Sequence, residues 1–161
     1  MIDRLSPNQN GRSHPIRVIV LHCDASPNEE STLSWVQAPV SGVSYHVLIG
    51  RDGTCYRIVP DTRRAWAVGK SVWRGVTDVN TISLNLAFAN RNDGNERLTP
   101  AQIEAAKNVI AEWKAKWRVE EVTTHKVVAR PVGRKSDPGP LEVHPDGTRK
   151  GAPNFDLTLF R

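Results

Sequence analysis

Ile16–Cys23, IRVIVLHC, is the segment that most narrows the folds open to this chain. It is short, rich in β-branched residues and almost unbroken in its apolar character, so it is a buried strand. A buried strand requires a sheet around it and further layers to cover that sheet. The 161 residues are enough for one such domain with a single hydrophobic core. No internal repeat, low-complexity run or linker divides them.

The other elements fit around that strand. SPNEESTLSWV carries Ser and Asn start signals and predicts a short helix around Ser31–Val36. Ser44–Ile49 and Thr54–Val59 flank Gly50-Arg51-Asp52-Gly53, a hairpin pattern with Asp-Gly in the turn. Thr81–Ala89 alternates Ile82, Leu84, Leu86 and Phe88 with smaller or polar residues, as a strand with one buried face would. Thr99 and Pro100 open the clearest helix, as N-cap and first helical residue. Behind them Ile103, Ala106, Ile110, Trp113 and Trp117 form one apolar stripe, whose spacing favours core packing over a ligand platform. Val119–Val128 is expected to be a last strand. Strands alternating with helices give an α/β domain, and the hairpin makes its central sheet mixed rather than all parallel. Residues 1–15 are a polar N-terminal arm, and everything from Ala129 onward is rich in Pro, Gly and charge.

Composition limits the partners. Hydrophobic residues at 39% and charged residues at 24% describe an ordinary soluble globular protein. The net charge of +5 favours anionic partners, yet no Arg/Lys run is interleaved with aromatics, so nucleic-acid binding has only net charge behind it. MIDRLSPNQNGRSHP lacks the apolar core of a signal peptide, and no stretch is long enough for a membrane span. Synthesis in the cytoplasm without export by that route is the expectation. Cys23 and Cys55 make no disulfide framework and are expected to be reduced.

Among the five histidines, His22 closes the apolar strand in LHCD and His125 sits in a similar place in VTTHKVV. Side chains at the C-terminal ends of buried strands point into the clefts where open α/β sheets bind ligands. Asp137 follows in RKSDPGP, where Pro138 and Gly139 force a bend. Two imidazoles and a carboxylate suit zinc, and three protein ligands leave the open position of a catalytic site.

These segments resemble the type 2 N-acetylmuramoyl-L-alanine amidases, a family that includes phage endolysins, cytoplasmic anhydromuropeptide amidases and peptidoglycan recognition proteins. VIVLHCDAS is similar to the family's first metal-ligand strand, VSYHVLIGRDGTCYRIVP to its central hairpin and RRAWAVG to the loop after it. NTISLNLAF resembles the strand N-x-S-I-G-I-E, and HKVVARPVGRKSDPGP the closing H-x-D-I-x-P-x-R-K-x-D-P-G. The resemblance runs from about Ile16 to Leu157 and implies one peptidoglycan recognition protein-like domain over residues 1–161. It implies His22, His125 and Asp137 as ligands of a zinc ion that activates water and polarises the amide carbonyl. Lys135 would stand near the oxygen that gains charge, and Tyr45 would orient the water or hydrogen-bond the intermediate. His46 is expected on the opposite face, as a core histidine.

Two departures from the family pattern stand out. The recycling amidases' glutamate is expected at Asn85, where an amide cannot take a proton; phage-type members also lack that glutamate. LEVHPDGTRKGAP, residues 141–153, is an inserted loop carrying His144, expected to be an exposed loop histidine. Together these favour a monomeric endolysin, released by a holin, that cuts between N-acetylmuramic acid and L-alanine in polymeric peptidoglycan. The alternatives are a cytoplasmic anhydromuropeptide-recycling amidase and a non-catalytic peptidoglycan-binding module; Asp137 speaks against the last.

Overall fold

The structure is a computed structural model that describes residues 1–161. The chain runs β1 (Ile2–Asp3), β2 (Gln9–Gly11), β3 (Val18–Cys23), α1 (Glu29–Gln37), β4 (Val47–Ile49), β5 (Cys55–Arg57), β6 (Arg63–Ala65), β7 (Val72–Trp73), β8 (Val76–Thr77), β9 (Ser83–Phe88), α2 (Pro100–Lys116), β10 (Glu121–Thr124), α3 (His125–Val128), β11 (Glu142–Val143) and β12 (Arg149–Lys150). Six strands form the central sheet in the order β1-β5-β4-β9-β3-β10. The pairs β3/β9, β3/β10, β4/β9 and β1/β5 are parallel, and the hairpin β4/β5 is antiparallel. The sheet is therefore mixed, as the hairpin signal required. Gly53, at φ +86, closes that hairpin in a conformation that disfavours a side chain.

β3 lies at the middle of the parallel strands with all six residues buried. Ile19, Leu21 and Cys23 face α2, together with Leu84, Leu86 and Phe88 of β9 and Ala106, Ile110 and Trp113 of the helix. Val18 and Val20 face the other way, against Val68, Trp73 and Val79. The second face of β9 is buried too: Ser83, Asn85 and Ala87 are fully enclosed. This corrects the expectation of one buried face. Small and polar side chains there marked a crowded, hydrogen-bonded layer rather than solvent.

α2 carries the expected cap. Thr99 accepts from the Gln102 backbone N–H and the Gln102 side chain answers the Thr99 N–H, while the Gln102 amide also donates to the carbonyls of Ile49 and Ala89. The first helix begins two residues before the expected start, at Glu29, because Asn28 caps it through Ser31 N–H. The last strand stops at Thr124, and residues 125–128 are a turn of helix rather than strand, with the Thr124 hydroxyl facing the Val127 N–H. The polar arm adds β1 to the sheet edge and pairs β2 with β6; its Arg12 reaches inward to the carbonyls of Arg63, Thr81 and Ser83. Residues 141–153 contain the antiparallel pair β11/β12. Both cysteines are free thiols, and no helix is long and apolar enough to cross a membrane.

Candidate functional site

The site forms where the parallel strands end. β3 delivers His22 one residue before its C-terminus, and β10, paired to β3 through Thr124 and Leu21, hands the chain to His125 at the first position of α3. A helical turn in place of a further strand residue swings His125 towards β3; the two imidazole centroids lie 4.7 Å apart. The loop after α3 returns Asp137, anchored by a backbone bond from the Lys126 N–H to the Asp137 carbonyl. Asp137 Oδ2 lies 3.3 Å from His125 Nδ1 and 3.7 Å from His22 Nδ1. The three donor atoms fall within 4.8 Å of one another.

The far side of each ring is fixed. His125 Nε2 is 3.2 Å from the Val68 carbonyl, which can only accept, so the hydrogen sits on Nε2 and the lone pair on Nδ1. Arg134 holds that carbonyl in place with its own donor at 2.9 Å. His22 Nε2 lies 3.0 Å from Asn85 Oδ1, and Asn85 Nδ2 is 3.0 Å from Ser83 Oγ. Both rings thus turn Nδ1 towards Asp137, with an outer partner that sets the tautomer as outer partners of metal-ligating histidines do. Four-coordinate zinc with bonds of about 2.0–2.1 Å places neighbouring donors about 3.3 Å apart, and the separations of Asp137 Oδ2 from the two Nδ1 atoms, 3.3 and 3.7 Å, are close to that value, so the donor set fits the metal.

Burial penalises charge on His22 and lowers its pKa, more than Asp137 and Asn85 raise it. Burial alone would raise the Asp137 carboxyl, but its pairing with the His125 and His22 imidazoles outweighs burial and holds it well below the usual carboxylate range. Neutral imidazole beside ionised carboxylate is the protonation state that a divalent metal needs.

Tyr45 and Lys135 line one cavity of about 470 Å³ together with His125 and Asp137. The Tyr45 ring sits 5.2 Å from the His22 imidazole. Burial, then the charges of Asp137 and Asp24, push the phenol's pKa up. His46 occupies the opposite face as expected: it is fully buried and 6.3 Å from the Trp113 ring. Its Nδ1 accepts the Asn85 N–H, so Nε2–H donates to the Arg63 carbonyl, and burial drives its pKa down to about 3. His144 is exposed and lines the cavity without joining the donor cluster.

Asn85 requires a correction. Setting S-I-G-I-E on Ser83–Ala87 places the pattern's glutamate at Ala87, which is paired with His22 in the strand register. Asn85 stands two residues earlier, on the same face of the strand, buried behind His22. Position 87 holds no carboxylate, so the departure from the pattern remains, but Asn85 orients an imidazole rather than replacing a base. The sequence offered no local sign of this contact or of the Val68–Arg134 support, both of which join residues more than fifty positions apart.

Residues 12–140 match the N-acetylmuramoyl-L-alanine amidase family. The chain belongs to that family. AmiD, an N-acetylmuramoyl-L-alanine amidase of Escherichia coli K12, is 32% identical over 144 residues, covering 78% of this chain and 50% of AmiD. This chain thus spans half of that relative's length. The 1,6-anhydro-N-acetylmuramyl-L-alanine amidase AmpD of Salmonella typhimurium SL1344 is 29% identical over 76% of this chain and 74% of its own. A structure of E. coli AmiD complexed with anhydro-N-acetylmuramic acid-L-Ala-D-γ-Glu-L-Lys superimposes with a TM-score of 0.71 at 28% identity, covering 80% of this chain and 55% of that one. An AmpD crystal structure has the same fold, with a TM-score of 0.75 at 23% identity over 99% and 92% of the two chains. A Drosophila peptidoglycan recognition protein, PGRP-SA, shares it at a TM-score of 0.62.

Proposed function

We propose that this amidase-family chain hydrolyses the amide between N-acetylmuramic acid and L-alanine in 1,6-anhydromuropeptides, using zinc bound by His22, His125 and Asp137. The observation that carries this is the convergence of His22 Nδ1, His125 Nδ1 and Asp137 Oδ2 beside a cavity walled by Tyr45 and Lys135. Zinc held there supplies Lewis acidity towards the amide carbonyl and towards water.

The remaining chemistry belongs to the chain. Asn85 and the Val68 carbonyl fix both rings with Nδ1 aimed at the metal position, so the donor set is oriented in advance. Lys135, which carries no ion pair, offers its ammonium to the carbonyl oxygen as negative charge grows there. One such preorganised partner is typically worth about 3 kcal/mol of barrier. Tyr45 remains a phenol because its pKa is raised, so it acts as a hydrogen-bond donor rather than as a base. Ala87 adds no carboxylate beside His22.

The choice of substrate leans on the relatives. Two are named for 1,6-anhydro sugars or are complexed with an anhydro-muropeptide, which favours a recycling-type substrate over the endolysin expectation. One observation favours the second reading, a wall-cutting endolysin: the missing glutamate at position 87 beside Tyr45 in the cavity wall. Initial rates on a purified anhydro-disaccharide peptide and on intact sacculi separate the two. Preference for the soluble compound supports recycling; preference for sacculi supports the endolysin.

A further inference from the structure

Two loops meet behind His125, and one side chain joins them. Residues 66–71 lead away from β6, and residues 130–137 lead from α3 to Asp137. The Arg134 guanidinium spans the gap. Its Nη2 donates to the carbonyls of Val68 and Lys70, each at 2.9 Å, and its Nε donates to the Arg130 carbonyl at 2.8 Å. One nitrogen can serve both carbonyls of the first loop because Gly69, between them, turns the chain back at φ +58. A Cβ on Gly69 would lie 3.8 Å from the same guanidinium, so the arginine sits against that turn.

Val68 is gripped from both ends. Asn80 Oδ1 accepts the N–H groups of Ala67 and Val68, each at 3.0 Å, while Arg134 Nη2 and His125 Nε2 meet at the Val68 carbonyl. Of these partners, Arg134 alone comes from the loop that carries Lys135 and Asp137. That loop gets little help from the core, since residues 131–134 are all exposed. Before them the Arg130 N–H donates to the Lys70 carbonyl, and after them Asn92 Nδ2 lies 3.1 Å from Ser136 Oγ. Between those tethers the Arg134 N–H to Pro131 carbonyl bond closes a turn, and the Arg134 side chain fastens that turn to residues 68–70.

We infer that Arg134 is a positioning residue for the reaction: it fixes the carbonyl that aims His125 and, by the same grip, the turn that presents Lys135. This rests on the amidase reading above, in which Lys135 faces the scissile carbonyl. All three side-chain bonds of Arg134 go to backbone carbonyls, so it acts through the residues those carbonyls hold. Lysine would keep the charge but not the planar fork, whose Nη2 and Nε serve the two loops at once.

The test uses the whole chain with Arg134→Ala, Arg134→Lys and Arg130→Gln. The last removes a cation from the same loop whose side chain bonds only to Val127 and Ala129. Circular dichroism and denaturant unfolding establish that each variant is folded. Zinc affinity, read by competition with a chromophoric chelator, should fall about tenfold in Arg134→Ala, the lower end of what direct partners of metal-bound histidines contribute. At saturating zinc, kcat on an anhydromuramyl tripeptide should fall about 10–100-fold, the scale of a misplaced reacting group, with KM nearly unchanged. Arg134→Lys should recover part of each loss, and Arg130→Gln should match wild type in both. In a Lys135→Met background, Arg134→Ala should add much less loss of kcat yet lower zinc affinity as before, because residues that act through one another are not additive. Unchanged zinc affinity in Arg134→Ala would overturn the link to His125. Losses of kcat that multiply in the double variant would overturn the link to Lys135, and a raised KM with intact kcat would overturn positioning altogether. No hydrolysis by zinc-loaded wild type would instead overturn the amidase reading, while the zinc affinities would still decide the link to His125.

Discussion

Asn85→Ala removes the side chain that faces His22 Nε2 at 3.0 Å and leaves the rest of β9 in place. Both partners are sealed from solvent, at 0% and 1% exposure, so no water can replace the lost acceptor. An orphaned buried donor costs about 1–3 kcal/mol, and outer partners of metal-bound histidines are typically worth 10–100-fold in metal affinity. The prediction is that zinc affinity, measured by competition with a chromophoric chelator, falls 10–100-fold. The apo protein should lose about 1–3 kcal/mol in denaturant unfolding, because the same hydrogen bond is lost without metal. Asn85→Asp retains an acceptor oxygen at the same place and should keep zinc affinity within a few-fold of wild type. Zinc affinity unchanged in Asn85→Ala would refute the claim that this amide aims His22. Equal losses in the Ala and Asp variants would show that packing, not the acceptor, is what matters.

Further outcomes follow from the same geometry. Asp137→Ala should abolish stoichiometric zinc, measured by atomic emission, whereas His144→Ala should retain it because His144 lies outside the donor cluster. Lys135→Met should keep zinc and lower kcat about a hundredfold, the usual loss for one oxyanion partner; near-normal turnover would make it a surface lysine. His46 has its pKa lowered to about 3 against about 6.5 unfolded, so the unfolded chain binds the extra proton and stability is lost as pH falls from 6.5 towards 3. Denaturant titrations of the apo protein should show this as up to about 1.4 kcal/mol per pH unit from His46, absent in His46→Gln. If exposed positive charge concentrates the enzyme on polymer, activity on sacculi should fall with added salt while that on a soluble muropeptide changes little, since surface charge is screened within about 8 Å at physiological ionic strength.

Much of the scaffold was legible because local chemistry and tertiary context agree. Thr99-Pro100 and the apolar stripe behind them specify α2, and Asp52-Gly53 specifies the β4/β5 turn, each through contacts within a few residues. His22 was legible because an imidazole at the end of IRVIVLHC is out of character for a buried run. What stayed hidden depended on distant contacts. The alternation in β9 suggested one wet face, yet residues 66–82 and α1 cover that face, which no periodicity within Thr81–Ala89 could reveal. His125 was placed within a strand because β-branched VTT and VV flank it; the switch to a helical turn follows from the return of Asp137 against Lys126. Residues 141–153 lack strand alternation, and their hairpin forms because the seam with Asn92–Gly94 receives it.

The most direct test of the central claim is product analysis with and without metal. Zinc-loaded enzyme is incubated with anhydromuramyl peptide, in parallel with enzyme stripped by a chelator and with stripped enzyme given zinc back. The products are identified by mass and by amino-terminal labelling. Free anhydro-muramic acid and a peptide with a new L-alanine amino terminus, lost on stripping and restored by zinc, are the predicted result. Cleavage at any other bond, or cleavage at this bond that survives complete removal of zinc, would contradict it.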